Sequence, residues 1–291
     1  MSARPPSATP TAAAALQRAL LQLRAAGVEE PQLEAELLLR HVLGLDKTCF
    51  YLRLPEALTA EQYARFLDLV GQRLQRRPLA YITGHREFYD LDLHVAPGVL
   101  IPRPETELVV ERCLEIAREM DRGGRRVTFV DVGTGSGAIA LSVAKHLPQI
   151  EVLATDCSPA ALSVAAYNAR RLRLAGRVRF LPGDLLDPVP GQVDLVVANL
   201  PYVPTAVWQT LAPEVREHEP RVAVDGGPDG LVEIRRLVAQ LPAHVRPGGA
   251  ALLEIDPDQA AALGGLAETI GARATILPDL MGRARVVVME L

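Results

Sequence analysis

Apolar residues recur at helical spacing near the start of the chain. Leu16, Leu20 and Leu23 form one row, and Leu33, Leu37 and Leu38 form another, with Pro31 placed to open the second helix. Thr59-Ala60-Glu61-Gln62 carries a capping-box pattern, and Tyr63, Phe66, Leu67, Val70 and Leu74 then make an apolar stripe. Core packing is the plain reading of that stripe. Arg73, Arg76 and Arg77 close this helix, where cations complement the macrodipole; they could also face an acidic partner.

The texture changes at Pro78. Leu91, Leu93 and Val95 alternate with polar neighbours, and Gly84, Pro97, Gly98, Pro102 and Pro104 punctuate the stretch, which reads as a small hairpin linker. From about Arg126 the pattern changes again. Apolar runs at Val127–Val132, Glu151–Thr155, Val178–Leu181, Val193–Ala198, Ala250–Ile255 and Val286–Met289 read as strands. Helical segments at Ala138–His146 and Leu231–Leu241 separate some of them, and Ser158-Pro159 is an N-cap followed by proline at the first helical position. Strands alternating with helices predict an α/β fold with a doubly wound, mostly parallel, Rossmann-like sheet. The expected division is a helical domain over 1–77, a hairpin linker over 78–104 and a sheet domain over 105–291.

Composition narrows the class. The chain has 291 residues, 49% apolar and 23% charged, so a sizeable buried core is available to it. Aromatics are only 4%, so aliphatic side chains do most of the packing. The formal charge of -4 speaks against a nucleic-acid binder, although arginine carries nearly all the positive charge. Cys49, Cys113 and Cys157 are too few and too widely spaced for a disulfide framework or a zinc site, which fits a reducing cytoplasm. The six histidines form no ligand-spaced pair, so no metal is expected. Met1–Ala15 is rich in Pro, Ala and Thr and has no long apolar run. It reads as a disordered lead-in, over residues 1–12 above all, and neither as a signal peptide nor as a membrane span.

Candidate chemistry begins at Asp131-Val132-Gly133-Thr134-Gly135-Ser136-Gly137, between a predicted strand and a predicted helix. Glycines there let the backbone turn sharply and approach a ligand. The spacing is G-x-G-x-G, neither the dinucleotide fingerprint nor a P-loop, and it suits S-adenosylmethionine, which has no pyrophosphate to cradle. Asp156 ends the next strand, where a carboxylate can hold two ribose hydroxyls. Asp184, after the third strand, can accept from an adenine amino group. The expected cofactor contacts are therefore Asp131, Gly133, Thr134, Gly135, Gly137, Asp156, Asp184 and Asn199.

The fourth strand ends in Asn199-Leu200-Pro201-Tyr202, at the carboxyl end of the sheet, outside which open α/β proteins bind ligands. These four are the catalytic candidates. An amide-type nitrogen is a poor nucleophile with two N–H donors. The Asn199 side-chain oxygen can accept one and the Leu200 main-chain carbonyl the other, while Tyr202 can stack on the planar group. Such a pair works by positioning.

Taken together these segments resemble the release-factor glutamine N5-methyltransferases over nearly the whole chain. Leu38–Gly44, Arg77–Gly84, Glu87-Phe88, Val99–Glu107, Asp131–Leu141, Glu219-Pro220 and Gly226–Leu231 carry the resemblance. It implies a seven-stranded sheet and a helical N-terminal domain that helps bind the partner. The implied substrate is the glutamine of the Gly-Gly-Gln loop in class 1 peptide chain release factors. A monomer with no stable nucleic-acid binding is expected. Two positions depart from the family pattern: Leu200 stands where a first proline is usual, and Asp256 where glycine is usual.

Two alternatives stay open on sequence. Asn-Leu-Pro-Tyr also resembles ribosomal RNA adenine dimethyltransferases, and a flipped adenine presents similar donors. Arg170, Arg171, Arg173, Arg177 and Arg179 could then form a basic patch. A non-catalytic cofactor-binding scaffold is the other, and the intact Asn199 and Tyr202 argue against it.

Overall fold

The structure, a computed structural model, describes residues 9–122 and 127–291. The chain divides into two compact units at Gly84/His85.

The first unit is helical: α1 (Ala12–Ala25), α2 (Pro31–Leu43), α3 (Lys47–Arg53), α4 (Ala60–Leu74) and the short α5 (Leu79–Thr83). Thr59 and Gln62 form the expected capping box, and Pro31 opens α2. Residues 1–8 of the expected disordered lead-in lie outside the described residues. The rest of it is ordered, because main-chain hydrogen bonds hold it: Ala12 N donates to Glu56 O and Leu58 N to Pro10 O, at 2.9 and 3.0 Å. The buried face of α1 also differs from the leucine row. Ala12, Ala15 and Ala19 are buried with Leu23, while Leu33 in α2 and Leu67 in α4 are exposed. Small side chains let helix backbones approach closely. The arginines of α4 have internal partners. Arg73 is buried and pairs with Glu34, and Arg76 Nη1 donates to the carbonyls of Ala26 and Gly27 beyond α1.

The second unit begins with a hairpin, β1 (His85–Phe88) and β2 (Leu91–His94). Phe88, Leu91 and Leu93 are buried in one core with Val109, Cys113 and Phe129. The hairpin is thus part of the sheet domain's packing and not a free-standing linker. Then follow α6 (Thr106–Arg122), β3 (Thr128–Val132), α7 (Ala138–His146), β4 (Glu151–Asp156), α8 (Pro159–Arg171), β5 (Val178–Pro182) and β6 (Val193–Ala198). The short α9 (Thr205–Trp208) and α10 (Pro213–His218) precede α11 (Val232–His244), β7 (Val245–Glu254), α12 (Ala260–Thr269), β8 (Arg273–Pro278) and β9 (Ala284–Glu290). The expected onset of strand character at Arg126 lies outside the described residues.

The sheet order is β5-β4-β3-β6-β7-β9-β8, with β9 antiparallel to both its neighbours. Alternation along each strand feeds two cores. Phe129, Leu195 and Leu252 face one, under α6 and α7, while Val130, Val196 and Leu253 face the other, under α11 and α12. The order reverses between β3 and β6, which lie side by side and parallel. A crevice at the carboxyl ends of these two strands is where such sheets receive ligands. The segments leaving them carry Gly133 and Asn199.

Candidate active site

The loop after β3 is held open by main-chain hydrogen bonds. Gly133 N and Thr134 N both donate to Thr155 O at 2.9 Å, and Gly137 N donates to Thr134 O at 2.9 Å. Gly133, Gly135 and Gly137 have φ of 71, 58 and 85°, a region that disfavours side chains. A Cβ on Gly137 would lie 2.9 Å from Leu141 Cδ1, so α7 packs where no side chain fits. A Cβ on Gly133 would lie 3.1 Å from Leu200 Cδ2. The leucine in the proline's place therefore packs its side chain against this loop, and it is buried. Asn168 braces the loop from behind: its amide nitrogen donates to Ser136 O and to His94 O, each at 2.9 Å.

Asp131 is the buried anchor of this turn. Its Oδ2 accepts from Thr134 Oγ1 at 2.7 Å and from Ala140 N at 3.0 Å. It is 1% exposed and is not among the residues that line the cavity, so it shapes the loop from the core side. Burial pushes its carboxyl up to about 7.

A cavity of about 280 Å³ opens beside the loop, lined by Gly133, Thr134, Gly135, Asp156, Asp184 and Asn199 among others. Asp156 Oδ2 accepts from Gly135 N at 2.9 Å and Oδ1 from Ser158 N at 2.8 Å. Each oxygen keeps a further lone pair for a ligand hydroxyl. Burial raises its pKa, and the two N–H groups oppose that shift. Asp184 also lines the cavity, but it is paired with Arg236 of α11, which Glu233 also engages at 2.5 Å. An adenine amino group would meet this ion pair and not a free carboxylate. Arg236 went unnoticed in sequence because its partner Asp184 lies far away along the chain.

At the other end of the cavity stand Asn199, Leu200 and Pro201. Asn199 Nδ2 lies 2.9 Å from Thr106 Oγ1, and Thr106 Oγ1 lies 2.6 Å from Glu254 Oε2. Tyr202 is not a cavity-lining residue. Its hydroxyl donates to Glu254 Oε1 at 3.0 Å. Burial first, and then Glu254, push the phenol pKa well up. Gln259 Nε2 donates to Tyr202 O at 2.9 Å. Asp256 caps the turn that presents Gln259, so the unusual aspartate has a structural task. The stretch before α6 is clasped as well: Glu219 accepts from Ile101 N at 3.1 Å and from Arg103 at 2.6 Å. Thr106, Arg103, Glu219 and Glu254 were visible in sequence only as parts of familiar stretches, without a role.

The arginine cluster that the nucleic-acid alternative would use is partly consumed internally. Arg171 pairs with Asp92, and Arg177 donates to Leu147 O and Ile150 O.

A glycine loop at the reversal point, an acid ending the next strand and an open cavity between them define an S-adenosylmethionine-dependent methyltransferase. The residues suit that cofactor: glycines leave room, and Asp156 retains acceptor capacity for a ribose. The comparisons with known proteins agree. The family model for the PrmC N-terminal domain matches residues 14–84, and that for the methyltransferase small domain matches 113–228. The release factor glutamine methyltransferase of Moorella thermoacetica is 48% identical over 93% of this chain and 95% of its own. That of Deinococcus radiodurans is 44% identical over 94% and 95%. The chain belongs to the release factor glutamine methyltransferase family. Among solved structures, the hMettl16 catalytic domain in complex with an RNA hairpin has a TM-score of 0.56 at 14% identity, covering 80% of this chain and 81% of that one. That likeness is one of fold alone.

Two predictions follow from the loop. Asp156→Ala removes charge-assisted hydrogen bonds, each contributing roughly 1.5–3 kcal/mol, so cofactor affinity should fall about tenfold or more. Calorimetry on a folded variant checks this, and unchanged affinity would remove Asp156 from the site. Asp131 makes stability depend on pH. Between the ordinary carboxylate pKa and about 7, the native state holds a proton that the unfolded chain has released. Its contribution is present in full in acid and is lost as pH rises through about 7. Without added cofactor, wild type should therefore lose stability relative to Asp131→Asn by up to about 1.4 kcal/mol per pH unit in that window. Parallel urea-midpoint curves for the two proteins would contradict the assignment.

Proposed function

We propose that this enzyme methylates the side-chain amide nitrogen of the glutamine in the Gly-Gly-Gln loop of class 1 peptide chain release factors. The observation that carries the proposal is the pairing of Asn199 with Thr106. Thr106 donates its hydroxyl hydrogen bond to the Glu254 carboxylate, so it accepts from Asn199 Nδ2. That fixes Asn199 with its nitrogen turned to Thr106 and leaves Oδ1 as an acceptor at the cavity. The Leu200 carbonyl, one residue on, supplies a second acceptor whatever its side chain.

A primary carboxamide brings two N–H donors to two acceptors. Bound this way, the nitrogen is held with its face toward the cofactor loop. The chain's contribution is orientation, with reacting atoms brought to roughly 3–3.5 Å. S-adenosylmethionine, when bound, supplies a methyl on a positively charged sulfur, so the nitrogen need not be deprotonated first. Asp131, Gly133, Thr134, Gly135, Gly137, Asp156 and Asp184 are assigned to the cofactor, Asp131 and Asp184 through the loop and the Arg236 pair. Asn199 faces both cofactor and acceptor. Leu200, Pro201 and Tyr202 complete the acceptor end. Relatives of this length and identity carry the release-factor name, which supports the choice of partner. We assign the helical unit to recognition of the factor away from its loop, and the enzyme to the cytoplasm as a monomer.

Asn199→Ala should abolish transfer while lowering cofactor affinity far less, because its side-chain oxygen is assigned to the acceptor nitrogen. In an assay with labelled cofactor, intact release factor should be labelled. Its Gln→Glu variant should not be, because a carboxylate offers no donor to buried acceptors. Near-normal turnover by Asn199→Ala would overturn the acceptor assignment. Labelling of structured RNA with none of release factor would replace this function with nucleic-acid adenine methylation.

A further inference from the structure

Glu254 ends β7 and is 1% exposed, yet neither the loop nor the cavity uses it directly. A carboxylate so far out of water must be met by donors. Its two oxygens are met by two hydroxyls, Thr106 Oγ1 at 2.6 Å and Tyr202 Oη at 3.0 Å. Thr106 in turn meets Asn199 at 2.9 Å. The chain Glu254–Thr106–Asn199 therefore has one consistent set of proton positions. With Glu254 as the carboxylate, it can only accept, Thr106 has one proton to give, and Asn199 turns its nitrogen toward Thr106.

We infer that Glu254 is a positioning residue for methyl transfer, acting through Thr106 to set which way the Asn199 amide faces and through Tyr202 to hold the rest of the acceptor strand end. This rests on the proposed carboxamide acceptor. It also goes beyond it, since a residue out of reach of the substrate then decides the polarity of the pocket.

Glu254→Gln shows why. A carboxamide has one acceptor oxygen and one donor nitrogen, but the site presents two hydroxyl donors. If its nitrogen faces Thr106, the threonine proton turns toward Asn199. The Asn199 amide then flips, and its NH2 faces the cavity, donor against donor. If the nitrogen faces Tyr202 instead, the phenol must reorient and the segment after Asn199 loses its tether. Charge on the acceptor is lost in both cases, and hydrogen bonds to charged groups are the stronger ones.

The test uses the full-length protein, with Glu254→Gln, Thr106→Val and Thr106→Ser. Intact release factor is the acceptor, and cofactor affinity is measured separately by calorimetry. The expected result is a fall in kcat of about tenfold or more for Glu254→Gln and Thr106→Val, with cofactor affinity near wild type. Thr106→Ser, which keeps the hydroxyl, should recover most of the rate lost in Thr106→Val. A second readout needs no substrate. The Asn199 side-chain N–H resonances, assigned by their loss in Asn199→Asp, should shift in Glu254→Gln and Thr106→Val. If wild type labels no release factor, the acceptor proposal fails, and the resonances still judge the inference. Unchanged Asn199 resonances in both variants would overturn it. So would wild-type kcat in folded Glu254→Gln, or a Thr106→Ser no better than Thr106→Val.

Discussion

A carboxylate taken out of water has to be met by hydrogen-bond donors, and this site is organised around that requirement. Three acids sit at or near the carboxyl ends of strands in one sheet: Asp131 on β3, Asp156 on β4 and Glu254 on β7. Asp131 and Asp156 share the glycine loop, and Glu254 gathers its donors elsewhere. Asp131 gathers Thr134 and the start of α7, which folds the glycine loop. Asp156 gathers Gly135 and Ser158, which ties that loop to the next helix. Glu254 gathers Thr106 and Tyr202, which ties the start of α6 and the segment after β6 to the end of β7. Burial raises the pKa of all three. The cost of burying them is offset locally by bonds that also give the cavity its shape. Loss of one acid should therefore disturb one end of the cavity more than the fold.

Much of the sheet could be read from the chain because β3, β4 and β6 are short, aliphatic runs bounded by turn residues. The glycine loop was legible for the same reason: its position between strand and helix confirmed what its spacing suggested. Other elements hid. α6 has regular apolar positions at Val109, Val110, Cys113, Leu114 and Ala117, but it follows a proline-rich stretch that suggested a linker. β8 alternates between exposed and partly buried positions at the sheet edge, so its apolar signal is weak. In α1 the buried face is alanine, which a search for leucine rows overlooks.

The site shows the same division. Asn199, Leu200, Gly133 and Asp156, which line the cavity, stood out in the sequence because each sits at a strand end that the pattern locates. Thr106 and Glu254 were not, since they are 148 positions apart and carry no spacing signal. Arg236 escaped in the same way, although it decides how much of Asp184 is free. Pairwise partners across a fold are set by topology, and no local periodicity encodes them. The two departures from the family pattern became intelligible only in three dimensions. Leu200 packs on Gly133, and Asp256 caps the turn that sets Gln259 against the Tyr202 carbonyl.

The central claim is that this cavity accepts a carboxamide and methylates its nitrogen. Tandem mass spectrometry of an intact class 1 release factor, incubated with the enzyme and S-adenosylmethionine, tests it most directly. The account predicts one added methyl group, localised to the side-chain nitrogen of the glutamine in the Gly-Gly-Gln loop. A methyl group on any other residue, or an unmodified factor after incubation with folded, cofactor-binding enzyme, would contradict it.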